Sequence, residues 1–189
     1  MSAVQEMTLF EFEKRLLAFQ QKLGVTLYSL PIDHISLRTN SRSTANLWLA
    51  HWKTRGQVLS NANINGRPIY ILAFNEPLQL VTWKIPCLEL PFPAQGKHYH
   101  YEGWEHVEFV VPSQATNCED FLQDLFSSVP ELKKAWGTLD EMGVKAKLSS
   151  PKGENERLAN PTVALKWDGI CIKFHPHSIS DIIRSEQND

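Results

Sequence analysis

Cysteine is scarce in this 189-residue chain: Cys87, Cys118 and Cys171 are odd in number, far apart and free of any Cys-x-x-Cys spacing. That excludes a disulfide framework and a structural zinc knuckle, and leaves buried thiols in a reducing compartment as the expectation. No apolar run approaches the roughly 20 residues that cross a bilayer, so no membrane partner is expected. An excess of one charge is missing too. Nineteen basic residues against 21 acidic ones give a formal charge of -2, with nothing denser in Lys and Arg than pairs such as Lys133-Lys134, so nucleic acid is not an expected partner. Residues Met1 to Glu6 lack the basic and apolar regions of a signal peptide, which reads as a cytoplasmic protein. Gly-x-Ser-x-Gly, phosphate-loop and dinucleotide fingerprints are absent, which argues against hydrolase, nucleotide and Rossmann chemistry.

What is present is a chain with 42% hydrophobic residues, enough to bury one core without staples. Thr8 with Glu11 forms a capping box, and Leu9, Phe12, Leu16, Phe19 and Leu23 recur at helical spacing up to Gly24. Ile32 to Leu37 then alternates apolar and polar residues like a half-buried strand, with His34 on the polar face just past Asp33. Trp104 to Phe109 repeats the pattern, with His106 just past Glu105. A paired histidine at equivalent places signals a duplicated module.

Each histidine strand opens a similar series. In the first, Ser41 to Lys53 reads as a helix, Val58 to Ile64 and Arg67 to Phe74 flank the Asn65-Gly66 turn, and Leu78 to Trp83 reads as a last strand. Residues 87–103, rich in Pro, Gly, His and Tyr, read as a linker. In the second, Thr116 with Glu119 caps a helix, Pro130 to Trp136 forms another, Val144 to Leu148 is a strand, and Val163 to Trp167 and Ile170 to Phe174 flank Asp168-Gly169. The expected organisation is α+β in one compact domain. It comprises a helical extension at 1–30, a βαβββ module at 31–86, the linker, a second βαβββ module at 104–177, and a tail at 178–189.

Two βαβββ modules with a histidine on the first strand of each resemble the vicinal oxygen chelate superfamily, and the whole chain is similar to the YecM family within it. The resemblance implies a curved sheet or barrel with a divalent metal (zinc, nickel, manganese, iron or cobalt) in the cleft between the modules. One ligand would come from the first and one from the fourth strand of each module. Carried over by residue, His34 and His106 are ligands, Leu78-Gln79-Leu80 places Gln79 at a third position, and Ile172-Lys173-Phe174 places Lys173 where a carboxylate is expected. Alternation puts Glu108 on the His106 face, where it is a candidate fourth ligand or general base, and His175 on the Lys173 face. Trp83, on the Gln79 face, would wall the pocket.

A protonated lysine has no lone pair for a metal, so a second reading stays open. In it His34, Arg38, Lys173 and His175 form a cationic pocket that binds an anionic small molecule without a metal, balanced by Glu108. A third has the inward polar groups hydrogen-bonded only to one another. The leading expectation is a metal-dependent isomerase or lyase, ahead of an oxygenase, acting on a small oxygen-rich substrate.

Overall fold

The computed structural model of the chain describes residues 5–64, 66–150 and 158–187. Strand β1 (Gln5–Met7) and helix α1 (Leu9–Leu23) precede the first module, which runs β2 (Ile32–Arg38), α2 (Arg42–Lys53), β3 (Gly56–Ile64), β4 (Arg67–Gln79) and β5 (Lys84–Pro91). The second module runs β6 (Tyr101–Val110), α3 (Cys118–Ser128), α4 (Pro130–Trp136), β7 (Lys145–Ser149), β8 (Thr162–Trp167) and β9 (Ile170–His175), followed by α5 (Ile179–Gln187). No helix among the described residues is long and apolar enough to cross a membrane.

The strands form one sheet in the order β3-β4-β5-β2-β6-β9-β8-β7, with β1 added beside β6. The two histidine strands, β2 and β6, lie antiparallel at its centre. Each also runs parallel to the last strand of its own module, β2 to β5 and β6 to β9. The halves are therefore related by a pseudo-twofold axis between β2 and β6, the architecture of the vicinal oxygen chelate fold. Its ends, β3 and β7, pair with no further strand among the described residues, so the sheet is open rather than a closed barrel.

One face of this sheet is apolar. Ile35, Leu37, Leu88, Leu90, Val107, Phe109, Ile172 and Phe174 share a core with Phe12, Leu16 and Phe19 of α1 and Phe121 and Leu125 of α3. Removing each such side chain from water is worth about 1.5–3 kcal/mol, which fixes the face on which the histidines must lie. Helix α1 begins where Thr8 Oγ1 accepts from the Glu11 N–H at 3.2 Å, and stops at Gly24 in the left-handed conformation, as expected. Strand β1 reaches β6 because Gly103 has φ 95° and no Cβ; a Cβ there would lie 2.3 Å from the Met7 carbonyl oxygen.

Three expectations need correction. The helix α3 cap is Asn117, whose side chain accepts from the Asp120 N–H at 2.9 Å, one residue beyond Thr116. Strand β4 continues to Gln79 rather than ending at Phe74, and β5 occupies Lys84–Pro91. The segment read as a linker thus begins with a core strand. Pro86 hid it: proline lacks a ladder donor, but here it sits where the β4–β5 register shifts, just before pairing with β2 starts at Cys87. Asn65 of the first hairpin and the polar loop at 151–157 lie outside the described residues.

Candidate metal centre

The registers bring the polar faces of four strands together. His34 pairs with Glu108 and Ser36 with His106 across the β2–β6 junction, so all four share one side of the sheet. Alongside, His34, Ile35 and Ser36 of β2 match Cys87, Leu88 and Glu89 of β5. His106, Val107 and Glu108 of β6 match Cys171, Ile172 and Lys173 of β9 in the same way. Equivalent positions therefore hold Ser36 beside Glu89 in one module and Glu108 beside Lys173 in the other. Each module supplies one carboxylate, from opposite strands of the pair.

Ligand atoms of His34, Glu89, His106 and Glu108 all fall within 4.8 Å of one another. His34 Nε2 lies 3.4 Å from Glu108 Oε1 and 3.9 Å from Glu89 Oε2. His106 Nε2 lies 3.2 Å from Glu108 Oε1 and 3.5 Å from Glu89 Oε1. Each imidazole is aimed by a carboxylate behind it: Asp33 Oδ2 lies 2.9 Å from His34 Nδ1, and Glu105 Oε2 holds His106 Nδ1. This carboxylate–histidine pairing turns Nε2 toward the cleft and is the usual support of metal-ligating imidazoles. The supports are anchored in turn. Asp33 accepts from the Ile179 N–H at 2.8 Å, Arg38 Nη2 lies 3.0 Å from Glu105, and Ser36 Oγ donates to Glu89 at 2.9 Å.

Lys173 enters the same cluster, its Nζ 2.5 Å from Glu108 Oε1 and 3.0 Å from His106 Nε2. Burial works against every charge here, but the partners outweigh it. Burial pushes Glu108 up, yet Lys173 and His34 hold its carboxyl well below the usual carboxylate range. Burial likewise pushes Glu89 up, and His106 and Lys173 hold it down. For His34 burial pulls the imidazole down, and Glu108 and Asp33 raise it to about 10. The Lys173 ammonium is held above its ordinary value, against burial, by Glu108 and Glu89. Two carboxylates thus face an imidazolium and an ammonium, together the charge of one divalent cation.

His34, His106, Glu108 and Lys173 meet as the sequence suggests. His175 lies at the edge, its ring 6.0 Å from His34, Nε2 3.6 Å from Asp33 and Nδ1 3.8 Å from Glu108 Oε2. Arg38 stands one layer out, against Glu105 and over the Tyr99 ring at 4.2 Å. Gln79 is a correction. It closes the β4–β5 hairpin, its Nε2 donating to the Leu80 and Trp83 carbonyls, and lines a separate cavity of about 440 Å³ with Trp52, Arg55 and Phe74. Trp83 is another: it is buried against Tyr28 and Phe109, its Nε1 donating to the Leu30 carbonyl at 3.2 Å, in the apolar core rather than the cleft wall. Sequence reasoning missed Glu89, although Cys87-Leu88-Glu89-Leu90 mirrors Cys171-Ile172-Lys173-Phe174 residue for residue in kind.

The donor set fits a divalent cation. His34 Nε2 is buried with no hydrogen-bond partner among the described residues while facing two carboxylates, and two imidazoles with two carboxylates suit zinc, nickel, manganese, iron or cobalt. In the comparison with known proteins, residues 3–186 match the family described as YecM protein. Protein YecM of Escherichia coli strain K12 is 40% identical over 172 residues, covering 89% of this chain and 85% of its own. A Haemophilus influenzae protein is 31% identical over 185 residues, covering 94% and 91%. A solved structure from structural genomics superposes with a TM-score of 0.80 at 37% identity, over 95% of this chain and 89% of that one.

Proposed function

The chain belongs to the YecM protein family, and from the cleft just described we propose that it is a cytoplasmic metal-dependent enzyme of the vicinal oxygen chelate type, an isomerase or lyase acting on a small oxygen-rich substrate. The observation that carries this reading is the convergence of His34, Glu89, His106 and Glu108 within 4.8 Å. His34, Glu89, His106 and Glu108 would hold a divalent ion, which would supply Lewis acidity for substrate oxygens. Asp33 and Glu105 fix the imidazoles so that both Nε2 atoms face that position. Lys173 keeps Glu108 ionised through Oε1, while Oε2 faces His175 Nδ1 at 3.8 Å, so Glu108 is the carboxylate nearest to hand for moving a proton. Two histidines with two carboxylates differ from the two-histidine, one-carboxylate triad of non-haem iron oxygenases, which favours proton transfer over oxygen activation.

A second reading rests on the Lys173 ammonium, whose contacts to Glu108 and His106 fall on the same donors. In that reading the cleft binds an anionic small molecule without a metal and catalyses nothing. Elemental analysis of untagged protein, with His34→Ala and His106→Ala beside it, separates the two. The enzyme reading expects about one ion per chain, lost in both variants. Trace metal unaffected by either substitution would overturn it.

A further inference from the structure

After β9 the chain leaves the second module and crosses the cleft face to cover the first. Ile71 of β4 pairs with Glu89 and so shares its face, Ile69 lies two residues along, and Ile179 and Ile183 of α5 pack on this pair. The cluster stands apart from the main core, with Ile69, Ile71 and Ile183 as its buried members among the described residues. Packing under the helix is incomplete. A cavity of about 260 Å³ lined by Leu59, Ser180, Ile183 and Arg184 lies between it and β3. A nine-residue helix is marginal on its own, and an element with so few buried contacts is among the first to open.

The start of α5 is tied to a support of the metal centre. Asp33 Oδ2 lies 2.9 Å from His34 Nδ1 and accepts from the Ile179 N–H at 2.8 Å. One buried oxygen thus aims an imidazole on one side and holds the first N–H of the helix on the other, where its negative charge also complements the helix dipole. Ser178 adds a local cap, its Oγ accepting from the Asp181 N–H at 3.1 Å. The second module is built differently: Glu105, the counterpart behind His106, is held by the Arg38 side chain.

On the metal-centre reading, we propose that α5 is a metal-coupled lid: filling of the centre and docking of the helix favour each other through Asp33 Oδ2. An ion on Nε2 fixes the His34 ring, and with it the Nδ1–H that keeps Asp33 in place for the Ile179 N–H. A docked α5 fixes Asp33 in turn, so the imidazole is already aimed when the ion arrives. Whichever event comes first spares the other part of its ordering cost, which is positive cooperativity. The filled site is then also the one sheltered from water on its first-module side.

Hydrogen exchange on untagged full-length protein, freed of metal and then saturated with zinc, tests the coupling. Zinc is expected to slow exchange of the amides from Ile179 to Ile183 about fivefold or more. In Asp33→Ala at saturating zinc the change should stay within about twofold, because the shared oxygen is gone. The effect must also run in reverse. Ile183→Ser, which loosens α5 from Ile69 and Ile71, should weaken zinc about fivefold in calorimetry, and Ser178→Ala, which removes only the local cap, should weaken it less. Zinc binding that leaves exchange in α5 unchanged, protection that persists in Asp33→Ala, or equal zinc affinity in wild type and Ile183→Ser would each overturn the coupling and leave the metal centre standing. No zinc binding by the wild type would overturn both.

Discussion

The first module sets a serine beside a glutamate where the second sets a glutamate beside a lysine. Ser36 and Glu89 hold the same places on β2 and β5 that Glu108 and Lys173 hold on β6 and β9. The cysteines one step away, Cys87 and Cys171, still match, as do the histidines and the acids before them. The difference teaches that a duplicated sheet constrains where a carboxylate must end up, not which strand carries it. A strand change moves the Cα by about 4.8 Å, within the reach of a glutamate side chain, so either strand serves one central position. The second module then has a position to spare, and it holds the ammonium.

The histidines are the members that the two modules keep in common, and losing either breaks the comparison most severely. His34→Ala or His106→Ala is expected to weaken zinc binding by at least about 100-fold, since losing a direct ligand exceeds the 10–100-fold typical of losing a supporting one. Calorimetry on metal-free protein measures it. Lys173→Met tests the asymmetry itself and has two opposite effects. The metal-free variant is expected to lose about 3–5 kcal/mol in chemical denaturation, because Glu108 is left buried without its partner. Zinc should then stabilise it more than it stabilises the wild type, because a competing cation is gone. Equal gains in both proteins would mean that Lys173 does not contend for the donors.

The supporting acids sharpen the contrast further. Asp33→Asn and Glu105→Gln should each weaken zinc about 10–100-fold. Both should also destabilise the metal-free chain, Asp33→Asn by about 1 kcal/mol because Asp33 holds the first N–H of α5, and Glu105→Gln because Glu105 is the buried partner of Arg38 and His106.

The response to pH comes next in size. The folded protein holds His34 at about 10 against an ordinary 6.5. That contribution to stability is complete below 6.5 and is lost as pH rises toward 10. Glu89 and Glu108, held below an ordinary 4.5, contribute above that value and lose their contribution as pH falls beneath it. The Tm of metal-free protein should therefore be highest toward the upper end of the range from about 4.5 to 6.5, because His175, held below 6.5 by burial, costs stability as pH falls, and His34→Asn should flatten the alkaline decline. The smallest effect expected is that of Ser36→Ala, about 1 kcal/mol for the lost hydrogen bond to Glu89.

The sequence carried the duplication plainly because the His34 and His106 strands alternate cleanly and each module begins with one. The helix ends were legible from Thr8, Ser41 and Gly24, where local hydrogen bonding decides the outcome. Glu89 was hidden by its surroundings: Pro86 lies inside β5 and Pro91 ends it, and a strand that tolerates proline at a register shift cannot be told from a loop by composition. The resemblance puts Gln79 in its place because Leu78-Gln79-Leu80 matches the family's fourth-strand motif, and so short a motif says nothing about which neighbour a strand will pair with. Trp83 shows the same limit, since the turn after β4 carries it to the apolar side.

Glu89 completes the donor set across the two modules. Calorimetric titration of metal-free Glu89→Gln with zinc, beside wild type, tests it most directly. One site per chain in the wild type and affinity reduced by at least about 100-fold in the variant are the results predicted; the same affinity in both proteins would contradict it.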